Sequence, residues 1–197
     1  SSDLNLMNEK DIVSMTRQIS DCYSTNRKAN IPFNLVLYDL KEQLEANLIK
    51  NNYQNWIGVS SIKKGTYDNI KEYNKDKEII YLTADSDNEI SELNPNQIYI
   101  IGGIVDRNKY KLLTFNKANE MGIKHARLPI GDYLHLKSSK VLATNHVFSI
   151  LSHYVNVKND WKEAFLSIIP KRKFDDNFNF ITEISAAIAT NKFSVND

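Results

Sequence analysis

Apolar residues recur at three- and four-residue spacing over residues 7–29 (Ile12, Met15, Ile19, Cys22), which predicts an amphipathic helix ending before Pro32. A short apolar run at 34–38 predicts a strand, followed by a helix through about Lys50. Residues 51–76 place Trp56, Gly58 and Gly65 in a polar setting and read as loop with short helical pieces. The middle of the chain is more regular. Glu78–Leu82 and Gln97–Ile101 are five-residue apolar runs rich in β-branched residues, and runs apolar on both faces suit strands covered on both sides of a parallel sheet. Between them, Asp85-Ser86-Asp87 is expected to cap a short helix ending near Asn94-Pro95. A helix at 114–121, closed by Gly122, leads to a strand at His125–Leu128. A long helix is expected at 140–155, with Val141, Leu142, Val147, Ile150, Leu151 and Tyr154 on its apolar side. Asp160 caps a last helix that stops at Pro170. Helices alternating with strands define an α/β domain with a mostly parallel sheet. Beyond Phe174 there is one short amphipathic piece, 180–189, read as peripheral.

Composition narrows this only a little. A chain of 197 residues with 42% apolar and 25% charged side chains is long enough for one α/β domain with a sizeable core. The formal charge of +1 excludes a histone-like binder or a strongly acidic surface. The basic set is lopsided, with 20 Lys and 5 Arg in a background rich in Asn and Ile. Each Arg is therefore informative, because its planar fork does what Lys cannot at a phosphate, carboxylate or base edge. One cysteine, Cys22, forbids an internal disulfide and points to a reducing compartment. No apolar run approaches the roughly 18–20 residues of a membrane span. The chain opens Ser1-Ser2-Asp3 without Met, so a fragment or excised domain is expected.

In open parallel sheets, ligands bind beyond the carboxyl ends of the strands. Three such ends stand out: Leu82-Thr83-Ala84-Asp85-Ser86, Gly102-Gly103-Ile104-Val105-Asp106-Arg107-Asn108, and Arg127-Leu128-Pro129-Ile130-Gly131. Gly102 and Gly103 let backbone approach a ligand without an intervening Cβ. Asp106 and Arg107 follow at once; as a turn with a surface ion pair they would need no further explanation. Neither GxGxxG nor GxxxxGK[ST] occurs, so neither a dinucleotide fold nor a P-loop is indicated. CxxC, HExxH and DxDxDG are also absent, and no metal is expected. His146 and His153 share a helix face, an arrangement more often packed or solvated than ligating, and Cys22 sits in an apolar stripe as a core residue.

Six segments form an ordered set: Gln18-x-x-x-Cys22-Tyr23-x-x-Asn26-Arg27, Tyr81–Asp85, Ile101–Asn108, Ala126–Gly131, Lys140–Val147, and Trp161–Phe165 with Ile169–Phe174. Over about residues 6–174 they closely resemble the tRNA methyltransferases of the SPOUT class that act on N1 of the purine at tRNA position 9. The resemblance implies a mostly parallel sheet flanked by helices with a C-terminal deep trefoil knot. It divides the chain into a methyltransferase domain, 1–174, whose first strand is expected to be missing, and a peripheral extension, 175–197. It implies S-adenosylmethionine as methyl donor, held by the three strand-end loops. On this reading the cofactor pocket comprises Leu82, Thr83, Gly103, Asp106, Leu128, Gly131, Val141, Leu142 and Asn145. Taken without the resemblance, Val141 and Leu142 read equally well as helix core.

The sulfonium is already a good methyl donor, so the protein must align an in-line transfer and expose the purine nitrogen. Neutral guanine carries a proton on N1. Asp106, matching the family's acidic residue, is the expected catalytic group, either as general base or as the residue that orients the purine. For RNA, the resemblance implies Gln18, Asn26 and Arg27 on the N-terminal helix, Arg107, Lys109 and Lys111 beside the catalytic loop, and Arg127, Lys171 and Arg172. The family's basic N-terminal extension is absent from this sequence, so weak tRNA affinity is expected. The expected product is N1-methylguanosine at position 9. Alternatives are N1-methyladenosine, dual specificity, or a non-catalytic tRNA-binding scaffold. The expected state is a monomer without an obligate protein partner and off the membrane. A cytoplasmic or nuclear location is expected, with a mitochondrial one left open.

Overall fold

The structure is a computed structural model and describes residues 7–62, 70–72, 75–105, 110–137 and 141–175. Helix α1 (Glu9–Lys28) begins at a capping box: the Asn8 side chain accepts the Asp11 N–H, and the Asp11 carboxylate accepts the Asn8 N–H. Strand β1 (Leu35–Tyr38) and helix α2 (Glu42–Lys50) follow, then a 3₁₀ turn (Tyr53–Asn55) and strand β2 (Val59–Ile62). Next come β3 (Glu78–Leu82), β4 (Gln97–Ile101), helix α3 (Leu113–Glu120) and β5 (Lys124–Ala126). The rest is helical: α4 (Ile130–Tyr133), α5 (Thr144–Asn156), α6 (Trp161–Ile168) and a 3₁₀ turn (Lys171–Lys173).

All described strand pairs are parallel. β1 pairs with β2, and β3 lies between β4 and β5, with Leu82 opposite both Ile101 and Ala126. The two-residue period of a strand sorts β3 onto two faces. Ile80 and Leu82 join Ile150, Leu151 and Tyr154 of α5 and Trp161, Ala164 and Phe165 of α6. Ile79 and Tyr81 pack instead with Ala118 of α3 and with Ile123. A third cluster joins Ile12, Met15 and Ile19 of α1 to Leu44 and Leu48 of α2, with Ile104 and Val105 packed against it. The sheet is therefore covered on both faces, which is why β3 and β4 read as continuous apolar runs.

Four sequence expectations fail. Residues 51–76 contain a strand, β2, whose Val59-Ser60-Ser61-Ile62 is too polar to advertise itself and is held by pairing with β1. Residues 85–94 form no helix. Instead Ser86 supplies turn chemistry, its hydroxyl accepting the Asn88 N–H and lying 2.8 Å from His125 Nδ1. The chain then runs beside Arg127, with Arg127 N–H bonded to Asn88 C=O and Ile90 N–H to Arg127 C=O. Helix α5 starts at Thr144, so Val141 and Leu142 lie before it and are not helix core. The short α4 stands where the spacing predicts loop. The amphipathic piece at 180–189 lies outside the described residues.

Candidate active site

A cleft of about 390 Å³ opens at the carboxyl ends of β3 and β4. One wall carries Leu82, Thr83, Ala84 and Asp85; a second carries Ile101, Gly102, Ile104 and Val105. Leu128 and Ile130, then Val141, Leu142, Ala143, Thr144 and Val147, close it. Its size is that of a small-molecule site, and its mostly apolar lining with few polar groups suits a flat heterocycle with polar edges.

The floor is polar at one point. Thr114 of α3 donates its hydroxyl to the Thr83 hydroxyl at 2.8 Å, and the Asp85 N–H reaches the same oxygen at 3.4 Å. Gly102 is what allows this close approach: a Cβ there would stand 3.0 Å from the Thr114 methyl. A Cβ on Gly103 would meet nothing within 4 Å, so that backbone faces open space. Leu112, just before α3, holds a left-handed conformation (φ 58°) that is strained for a branched side chain. It introduces Leu113 and Thr114 into the cleft wall, beside Tyr110.

Of the residues expected to hold the cofactor, Leu82, Thr83, Leu128, Val141 and Leu142 line the cleft. Gly103, Gly131 and Asn145 do not; their neighbours Gly102, Ile130 and Thr144 do. The Asn145 amide donates to the Asp21 carboxylate at 3.0 Å. Asp106 lies outside the described residues, as do Arg107 and Lys109. The segment that carries them is bounded by Val105 and Tyr110, and both line the cleft.

The residues expected to meet RNA are scattered more widely. Gln18 is a cleft residue. Asn26 is buried, its amide closing a pair of 2.8 Å hydrogen bonds with the backbone of Phe33. Arg27 is exposed, its guanidinium 5.9 Å from the Tyr23 ring centre, and Tyr23 in turn stacks on Trp56 at 4.3 Å. Lys111 is exposed beside Leu112. Arg127 reaches the cleft edge but is held by Glu89, through Nε and Nη2, and by the Ser86 carbonyl. Its hydrogen bonds to Glu89 raise its already high pKa.

Lys171 and Arg172 are exposed on the C-terminal 3₁₀ turn. That turn docks on residues 135–137, where Lys137 N–H bonds to Lys173 C=O and Asp175 N–H to His135 C=O. It approaches the first turn of α5: burial, and then the charge of Lys173, push the pKa of His146 down, against the pull of Asp21.

Sequence reasoning passes over Thr114, Tyr110, Ile104 and Val147 as site residues. Thr114 has a faint signal, a hydroxyl between Leu113 and Phe115 in the first turn of a helix that follows a strand-end loop. A larger groove, about 730 Å³, lies toward the amino ends of β4 and β5, lined by Glu89, Glu92, Gln97, Lys124 and His125. It is open, with polar and apolar residues mixed in its lining, and it lies toward the opposite end of the strands from the site that parallel sheets use.

Fold and cleft together define the class: a parallel α/β domain with a small-molecule site beyond its strand ends. The sequence model of tRNA (guanine(9)-N(1))-methyltransferase TRM10/TRM10A matches residues 2–174, and the chain belongs to that family. It is 42% identical over 174 residues to a tRNA (guanine(9)-N1)-methyltransferase of Candida glabrata, covering 86% of this chain and 59% of that protein. It is also 42% identical over 170 residues to tRNA methyltransferase 10 homolog A of Homo sapiens, covering 85% and 49%. The chain thus spans between half and three-fifths of the length of these relatives. The solved structure of full-length spTrm10 in complex with SAH superposes with a TM-score of 0.77 at 40% identity, covering 86% of this chain and 91% of that one.

Proposed function

We propose that this chain is the catalytic domain of an S-adenosylmethionine-dependent methyltransferase that forms N1-methylguanosine at position 9 of tRNA. The observation that carries the reading is the cleft itself. The strand-end loops singled out from the parallel-sheet pattern converge on one cavity, and both residues flanking 106–109 line it. The Candida glabrata relative bears this activity in its name, the human one is named a tRNA methyltransferase, and one neighbour was solved with SAH.

The residues present fit such a cofactor. Leu82, Leu128, Val141, Leu142 and Val147 offer apolar faces to a purine, and the Thr83–Thr114 hydroxyl pair offers polar atoms to its edge. Gly103 leaves backbone open to a ligand. The Asp85 carboxylate at the rim suits a positively charged ligand, while Arg127, the one basic residue among the described lining residues, is already paired with Glu89. When bound, the cofactor supplies an electrophilic methyl group on sulfur. The chain itself must hold the purine in line and deal with the N1 proton. Asp106 follows Val105 directly, and a carboxylate there can accept that proton or fix the purine's orientation. The monomeric state and the trefoil knot belong to the same proposal.

Incubation with unmodified tRNA and labelled methyl donor, followed by digestion and mass spectrometry of the nucleosides, tests the reading; N1-methylguanosine is the expected product. N1-methyladenosine would revise the substrate, and cofactor binding without incorporation would favour a scaffold role. Asp106→Asn is expected to lower single-turnover methyl transfer by about 100-fold or more with SAH affinity by calorimetry nearly unchanged. Lost SAH binding with an unchanged rate would remove Asp106 from catalysis.

A further inference from the structure

Two side chains one turn apart on α1 reach two consecutive residues at the start of α5. Gln18 Oε1 accepts the Thr144 backbone N–H at 3.0 Å, and Asp21 accepts from Asn145 Nδ2 at 3.0 Å. Thr144 passes the link on, its hydroxyl donating to the Gly102 carbonyl at 2.8 Å. Just before α1, the Met7 sulfur accepts the Val105 N–H at 3.2 Å. The first N–H groups of a helix have no partner within it, and a side-chain oxygen usually provides one from the N-cap. Ala143 stands at that position in α5 and has no such oxygen. Gln18, distant in sequence, provides it from another helix.

The residues fastened in this way are cleft wall. Ala143, Thr144 and Val147 line the cavity, as do Val141 and Leu142 just before them, Gly102 opposite, and Gln18 itself. We propose that Gln18 is a positioning residue: it caps α5 from α1 and so fixes the wall against which the cofactor binds, with Asp21 as a second fastener. The term cofactor rests on the function proposed above. The alternative, implied by family resemblance, is that Gln18 reads RNA directly. The two roles predict different losses. A reader of RNA affects tRNA affinity, whereas a cap affects the cleft before any RNA arrives.

The test compares Gln18→Ala, Gln18→Glu and Asp21→Ala with the unaltered chain, each checked for folding by circular dichroism. Backbone amide exchange over Thr144–Val147 is followed without ligand, and SAH affinity is measured by calorimetry without RNA. Gln18→Ala is expected to speed exchange at these amides and to weaken SAH binding about fivefold, the size of a lost cap. Gln18→Glu keeps an acceptor at a helix N-terminus and is expected to restore both. Asp21→Ala leaves the Gln18 bond in place and is expected to act in the same direction but less. Unchanged exchange in Gln18→Ala overturns the proposal, as does unchanged SAH affinity accompanied by weaker tRNA binding. If the unaltered chain took up no SAH, the function reading would fall, and amide exchange alone would decide whether Gln18 is the cap.

Discussion

Both ends of the Asn26 amide are bound to one residue, the nitrogen donating to Phe33 C=O and the oxygen accepting Phe33 N–H. This pair ties the end of α1 to the approach to β1. Asn26→Ala would leave two backbone groups of Phe33 without partners, at a cost of roughly 2–3 kcal/mol. Urea denaturation should show that loss, with tRNA affinity per folded molecule unchanged. Its neighbour Arg27, exposed over Tyr23, remains the residue of this pair available to RNA.

Cys22, also on α1, carries a pH signature. Burial, helped by the Asp21 charge, pushes its thiol up to about 12 from 9.0. Above about pH 9 the unfolded chain releases this proton while the folded chain keeps it, so the unfolded state binds fewer protons and stability falls as pH rises toward 12. Denaturation at stepped pH should show a shallower alkaline decline in Cys22→Ala. Thiol-reactive reagents should label the native protein slowly at pH 8.

Helix α6 shows what a helix can reveal in sequence. Asp160 caps it by accepting the Glu163 N–H, and Trp161, Ala164 and Phe165 fall on one buried side. Phe165 is fully buried, stacked with Trp161, which itself stacks on Tyr154 at 4.0 Å. Phe165→Ala is expected to cost about 3–5 kcal/mol, read as a lowered denaturation midpoint. Such elements are legible because period, cap and stop all agree. β3 and β4 are legible because both faces are covered. Elements that depend on distant partners are not: β2 exists because β1 is beside it, and 85–94 is a turn and a single bridge, not a helix, because Ser86 and Arg127 hold its backbone. The start of α5 escapes the sequence for the same reason, since its cap comes from α1 and leaves no local signal.

The cleft is readable to the level of loops, not of side chains. All three strand-end loops reach it, yet Gly103, Gly131 and Asn145 each miss the lining by one position. Which residue of a loop faces inward is set by backbone turns and by partners such as Asp21, and neither is written in spacing.

Over the whole molecule, near-neutral charge conceals a local concentration. Lys137, Lys171, Arg172 and Lys173 gather where the C-terminal 3₁₀ turn docks on residues 135–137, beside the first turn of α5. If tRNA phosphates rest there, replacing Lys171 and Arg172 by Ala should weaken tRNA binding and reduce the salt slope by about 1 for each phosphate no longer neutralised. Filter binding across a salt series measures this, and SAH affinity should stay unchanged.

That docked turn has a further consequence for how the protein is made. Phe174 is only 2% exposed and belongs to the same core as Ile80, Leu82 and Ile150, paired through an antiparallel bridge with Leu136. The parallel sheet already demands distant partners, which slows folding. With so large a core side chain supplied this late, the core that α5 and α6 build over β3 stays incomplete until residue 174 is free to join it. Premature termination anywhere before that point leaves an open core, so incomplete products should appear as insoluble or degraded material and not as a smaller functional domain.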